Sequence, residues 1–172
     1  EQPVHPPGSG TILCDETGTV TEAEFLFDLV PVPKERARTI IQDGKRVSYT
    51  PRRTKWFSEQ VGRVVRQVMG GAHPMQAPLS AVMEFRVTPP KSWPKWKKRA
   101  ALAGEIHPTG RPDLDNLEKA LLDAAGEHLF VDDALVVKRF GEKKYAENTE
   151  IFMSIRSVDG ERCTASAKTS KK

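Results

Sequence analysis

The run Arg111-Pro112-Asp113-Leu114-Asp115-Asn116-Leu117-Glu118-Lys119 continues through Leu121-Leu122-Asp123 to Val131-Asp132-Asp133, and its reading decides the rest of the chain. It predicts a helix opening just after Pro112, a residue suited to a helix's first turn. Each helical residue advances about 100° around the axis. Leu114, Leu117, Leu121 and Ala124 then share one side, while Asp115, Asn116, Lys119 and Asp123 fall on the opposite one. The helix has an apolar back and a polar front bearing two carboxylates, an amide and an ammonium.

A front of this kind is ordinarily solvated surface. Here Asp113 stands just before the other acids, so three carboxylates can gather near one end. A second pair, Asp132-Asp133, follows the apolar Leu129-Phe130-Val131 and precedes Ala134-Leu135-Val136-Val137, which reads as a strand. Carboxylates held close repel, and a divalent cation is the usual means of keeping them together. Two or three such ligands with open coordination positions suit Mg²⁺ working on a phosphate. A calcium loop does not fit, because Asp113-Leu114-Asp115 lacks the third acid and the turn glycine. Spacing alone leaves the metal-phosphate site and the charged surface both standing.

Charge along the chain favours the former. The net charge of +4 is segregated: residues 1–30 carry −6, 31–73 carry +7, 91–111 carry +5, 112–133 carry −6 and 134–172 carry +4. An acidic island between basic stretches suits a metal-dependent enzyme acting on a polyanion, with carboxylates for the ion and Lys and Arg for the backbone. A uniformly basic binder has no use for the island.

With 172 residues the chain is expected to form one domain. Its hydrophobic fraction of 38% fits a soluble protein with polar ends. No apolar run reaches the roughly 18–20 residues of a membrane span and nothing resembles a secretory signal, so a cytoplasmic location without membrane contact is expected. Cys14 and Cys163, near opposite ends, are read as reduced thiols.

The expected boundaries are a flexible acidic extension over 1–22, within which 11–22 can pair as a short strand, a folded domain over 23–158 and a disordered basic tail over 159–172. Within the domain, 24–30 alternates as a strand, and Asp43-Gly44 between β-favouring runs signals a hairpin. If Lys34, Arg36 and Arg38 lie in an extended segment they share a face, either as a charged edge guarding against aggregation or as contacts to nucleic acid. Residues 52–69 form a helix with Trp56, Phe57, Val61, Val64, Val65 and Val68 as its apolar stripe, closed by Gly70-Gly71. Residues 79–87 read as a strand, 134–140 as another, Gly141 to Tyr145 as a basic turn, and 149–158 as the closing strand. Between them Lys91 to Arg99 mixes Trp93 and Trp96 with five bases, among them Lys95, Lys97, Lys98 and Arg99. Tryptophan faces stack on bases and on cations, so this is the segment that most suggests DNA, unless both rings pack into the core. Strands and helices intermix without strict βαβ order, giving an α+β expectation: a small mixed sheet packed with two main helices.

The stretch from Arg111 to Ala124, with Val131-Asp132-Asp133-Ala134-Leu135-Val136-Val137, resembles the core signature of the RusA-like Holliday-junction resolvases. The lead-in Pro31 to Arg38, Tyr49-Thr50-Pro51 and the Lys/Trp segment before His107 resemble that family as well, so the likeness covers roughly 24–158. It implies a small Mg²⁺-dependent endodeoxyribonuclease (Mn²⁺ a possible substitute) of DNA recombination and repair, bacterial or phage-encoded and nucleoid-associated. It further implies a homodimer that makes paired nicks in four-way or branched DNA. Position by position, it implies that Asp113, Asp115 and Asp133 are catalytic and metal-binding acids, with Lys119 the essential lysine. Asp132 is a further metal position, and Asn116 and Asp123 accompany them. Lys34, Arg36, Arg38, Lys95, Lys97, Lys98 and Arg99 are then the expected DNA contacts. Two other readings are a non-catalytic branched-DNA-binding module and a divalent-ion enzyme of nucleotides or sugars. The basic flanks favour a polymer over the latter.

Overall fold

In the three inner strands of the main sheet buried residues recur at every second position, and in each long helix along one stripe. The computed structural model describes residues 8–35, 38–42 and 45–158. Strands β1 (Gly8–Cys14), β2 (Val20–Phe27), β5 (Leu79–Val87), β6 (Val136–Tyr145) and β7 (Glu150–Ser157) form one sheet in the order β1-β2-β7-β5-β6. All its neighbours are antiparallel except β5 and β6, which run parallel. A parallel pair needs a long crossover, and the one here carries α2 (Lys95–Leu102) and α3 (Leu114–Leu129). Strands β3 (Arg38–Gln42) and β4 (Lys45–Tyr49) make a separate antiparallel hairpin, followed by α1 (Arg52–Met69). Among the described residues the architecture is α+β with a mixed five-stranded sheet and three α-helices, two of them long.

Helices α1 and α3 pack on each other and cover one face of the sheet. Phe57, Val61, Val64 and Val65 of α1 and Leu117, Leu121, Ala124 and Ala125 of α3 meet the inward residues Phe25, Phe27, Ala81, Met83, Phe85, Ile151, Met153 and Ile155. Each fully buried Leu, Ile, Val or Phe contributes about 1.5–3 kcal/mol. Helix α1 ends at Gly70, whose φ of 54° is the left-handed geometry that glycine adopts without a Cβ clash; its N–H donates to the Arg66 carbonyl at 3.2 Å. Trp56, expected in the stripe, is 49% exposed. It stands about 100° from Phe57, past the margin of the buried arc.

The other face of the sheet carries charges that neutralise one another across strands. Arg86 donates through Nε (3.1 Å) and Nη2 (2.8 Å) to Glu84 and through Nη1 to Glu150 at 2.6 Å, and Lys144 reaches Glu84 at 2.6 Å. Burial pushes the Glu84 carboxyl upward, but hydrogen bonds from Lys144 and Arg86 with their positive charge outweigh it and leave it below the ordinary value. These pairs correct the expected basic turn at Gly141 to Tyr145: the charged run is the second half of β6, in register with Met83 to Val87.

The N-terminal boundary is also corrected. Residues 8–22, expected as part of a flexible extension, supply β1 and the start of β2. Ile12 packs against the core, and Gly10 lies so close to β2 that a Cβ there would meet the Glu24 carbonyl at 2.5 Å. Residues 73–75 stitch this hairpin to the end of α3. Val20 N–H donates to the His73 carbonyl (3.0 Å), Met75 N–H to Leu129 (2.9 Å) and Val131 N–H to Met75 (3.2 Å). Exposed Cys14 is free of any disulfide, whereas the tail over 159–172, with Cys163, lies outside the described residues, as do Arg36, Asp43, Gly44 and the side chain of Arg38. No helix among the described residues is long and apolar enough to cross a membrane.

Candidate active site

Helix α3 is built as the sequence implies, one residue later. Asp113 is its N-cap with extended backbone (φ −71°, ψ 144°), so Pro112 precedes the cap instead of opening the helix. Leu117, Leu121 and Ala124 are buried, Leu114 is half-buried, and Asp115, Lys119 and Asp123 are exposed, with Asn116 between the extremes. After Leu129 the chain leaves the core through Phe130 and enters a single 3-10 turn, Asp133–Leu135. Asp132 caps that turn, its Oδ1 accepting from the Ala134 N–H at 2.8 Å, and Asp133 next to it stays exposed.

Two clefts border α3. The first, about 340 Å³, lies between α3 and β6 and is lined by Lys119, Leu122, Asp123, Phe130, Asp133 and Arg139 among others. The second, about 420 Å³, lies at the start of α3, where Asp113 and Asn116 face Lys34, Arg53 and Arg111. Lys34 and Asp123 link the neighbourhoods: Lys34 Nζ reaches Asp123 Oδ2 at 2.6 Å, and the Lys34 N–H donates to the Asn116 carbonyl at 2.9 Å. The proline-rich lead-in is thereby docked along α3.

The carboxylates are therefore not drawn to one point. Asp133 shares its cleft with Lys119 and Asp123, Asp113 shares the neighbouring one with Asn116, and Asp115 lines neither. Among the described residues no three His, Cys, Asp or Glu side chains stand close enough together to hold a metal ion. The geometry of α3 explains the spread: Asp113 caps its start, Asp115 is in its first turn, and Asp133 follows its end, on a helix roughly 24 Å long at about 1.5 Å per residue. The donor set itself is of the hard-oxygen kind a divalent cation takes. Asp113, Asp115 and Asp133, with Lys119, make no side-chain hydrogen bond or ion pair among the described residues.

Three residues of β6 that face α3 escaped the sequence reading. Residues 139, 141 and 143 alternate on one face of the strand. Arg139 Nε pairs with buried Glu118 Oε2 at 2.8 Å. Gly141 lies under that carboxylate, and Lys143 Nζ donates to the carbonyls of Gly110 and Pro112, each at 2.9 Å. Their signal was the odd-numbered spacing of Arg139, Gly141 and Lys143, concealed by the neighbouring charges. Arg53 and Arg111 were also passed over; only Arg111, adjacent to the acidic run, could have been found.

Further positive charge stands on α2 and the segment before it. In α2, Lys95 and Arg99 are exposed, Lys97 Nζ sits 4.0 Å from the centre of the Trp93 ring, and Lys98 Nζ donates to the Lys91 carbonyl at 2.8 Å. Trp93 packs edge-on against Tyr145 at 5.4 Å, while Trp96 is 64% exposed, so one ring is structural and the other open.

Carboxylates and an ammonium along one seam, flanked by cationic elements, are the equipment of a nuclease. The sequence matches the family of endodeoxyribonuclease RusA over residues 28–156, and the chain belongs to that family. It is also 31% identical over 133 residues, covering 74% of this chain and 91% of the other, to a protein of Bacillus subtilis (strain 168) named Uncharacterized protein YqaN.

Proposed function

We propose that this protein is a divalent-cation-dependent, structure-selective endodeoxyribonuclease that resolves four-way or other branched DNA by phosphodiester hydrolysis. The observation that carries the reading is the cleft between α3 and β6 that Lys119 and Asp133 both line, in a chain of the RusA family. Lys119 sets an ammonium beside the charge that develops on a phosphate under attack. Asp113, Asp115 and Asp133, with Asp132 at their margin, are the carboxylates that would hold Mg²⁺ or Mn²⁺, and because they stand apart here they would have to draw together to do so; the ion when bound polarises the phosphate and activates water. Asn116 supplies an amide beside Asp113, and Asp123, held by Lys34, borders the cleft. Lys34, Lys95, Lys97, Lys98 and Arg99, with Arg36 and Arg38, hold the flanking backbone.

Resolving a four-way junction without leaving it gapped takes two symmetric nicks, so the working species is a homodimer with two centres related by a two-fold. The substrate places the enzyme with DNA in recombination and repair.

The test is Mg²⁺-dependent nicking of a synthetic four-way junction by wild-type and Asp115→Asn protein side by side. Wild type cuts. The variant loses nicking by on the order of a hundredfold or more, with junction binding retained or tighter because a negative charge facing phosphate is gone. Junction binding by wild type with the strands left whole would instead identify the non-catalytic module.

A further inference from the structure

We infer that Arg139 is a phosphate-binding residue of the α3–β6 cleft, with Glu118 holding its guanidinium in place; this rests on the nuclease reading above. Glu118 is 6% exposed, an unusual place for a carboxylate, and Arg139 is the cation that compensates it. The contact is made through Nε. Guanidinium has five N–H donors in a rigid fork, so with Nε engaged the two terminal nitrogens keep theirs for another anion. Arg139 is half exposed and lines the cleft that also holds Lys119 and Asp133. One cation comes from the helix and the other from the strand.

The pairing is built into the backbone. A Cβ at position 141 would come within 1.8 Å of Glu118 Oε1 and 2.7 Å of its Cδ, so any other residue there would displace the carboxylate from its present seat. A surface ion pair formed by chance has no such cradle. The expected ligand is a diester phosphate of the DNA backbone, for which a planar bidentate cation is better suited than a lysine.

The test measures binding and nicking of synthetic four-way junctions in which single phosphates near the cut are replaced by neutral methylphosphonates. For wild type, one replacement weakens binding about tenfold to a hundredfold. Arg139→Gln weakens binding of the unmodified junction to a similar degree, and the same methylphosphonate then costs it nothing further. Because Arg139→Gln strands a buried charge, the Glu118→Gln/Arg139→Gln double variant is measured as well, with thermal unfolding of each. Glu118→Gln alone gives a partial loss of affinity at the same phosphate, which a merely structural role would not localise. Additive losses in both Arg139 variants, or wild-type affinity in them, overturn the assignment while leaving the nuclease reading intact. A wild-type protein that neither binds nor nicks the junction overturns that reading, and this inference with it.

Discussion

The ammonium of Lys143 donates a hydrogen bond to the Pro112 carbonyl at 2.9 Å, fastening strand β6 to the residue just before the α3 N-cap. The same ammonium takes the Gly110 carbonyl at 2.9 Å. Lys143→Met keeps the side-chain length and removes both bonds, so the loop presenting Asp113 loosens. The expected result is nicking slower by about tenfold at saturating junction, with little change in the concentration giving half the maximal rate, because misplacement of a reacting group falls mainly on the chemical step. Single-turnover kinetics on a four-way junction measure the split, and Lys143→Arg should restore part of the rate.

Lys34 and Asp123 are 41% and 34% exposed, so their ion pair is worth little to stability despite its 2.6 Å contact. Lys34→Ala should cost no more than about 1 kcal/mol in urea unfolding. Its effect on the site should be larger, since it removes a cation lining the Asp113 cleft and frees Asp123 beside Lys119. A double-mutant cycle with Asp123→Asn, read by junction affinity, separates the lost cation from the released carboxylate.

The side chains of Lys95 and Arg99 of α2 make no ion pair or hydrogen bond among the described residues, whereas those of Lys97 and Lys98 are partly engaged by Trp93 and the Lys91 carbonyl. If both exposed cations neutralise phosphates, replacing them with Gln should flatten the plot of log affinity against log salt by roughly 2 units of slope. The plot is obtained by fluorescence anisotropy on a labelled junction across a salt series. An unchanged slope would place the DNA elsewhere.

The charge ladder on the open face of the sheet makes stability depend on acidity. Glu84 is held below its ordinary value of 4.5, so it binds protons more readily unfolded than folded. Its contribution is complete above that ordinary value and disappears as the pH falls through the depressed folded one. Glu84→Gln should lose about 1–2 kcal/mol at neutral pH, with the gap to wild type closing as the pH falls below the ordinary carboxyl value and through the depressed folded one. Urea midpoints across pH 2–7 check this, at roughly constant ionic strength.

Where a buried stripe is long and periodic, the chain was legible. Residues 52–69 and 79–87 were bounded as the structure has them, and the two sides of α3 were assigned correctly from leucine spacing. Strand β1 was obscured because an edge strand of Gly8, Ser9, Gly10 and Thr11 sends little beyond Ile12 into the core. The second half of β6 was hidden by its charges, whose partners lie on β5 and β7, far off in sequence. Burial of Glu118 depends on Arg139, twenty-one positions away, and on the missing side chain of Gly141, neither of which leaves a local trace. At the candidate site, residue types were readable but their meeting was not: helical periodicity says which side of α3 each acid takes, and nothing about where the turn bearing Asp133 comes to rest.

The main-chain stitch made by residues 73–75 has an evolutionary corollary. Since amides and carbonyls do the joining, relatives are free to vary the side chains along that connector so long as position 75, here 1% exposed, stays apolar. What they cannot vary is its length. One residue gained or lost between Gly71 and Leu79 would slide the whole acidic corner relative to the helix it serves, so indels should be tolerated at the termini before they are tolerated there.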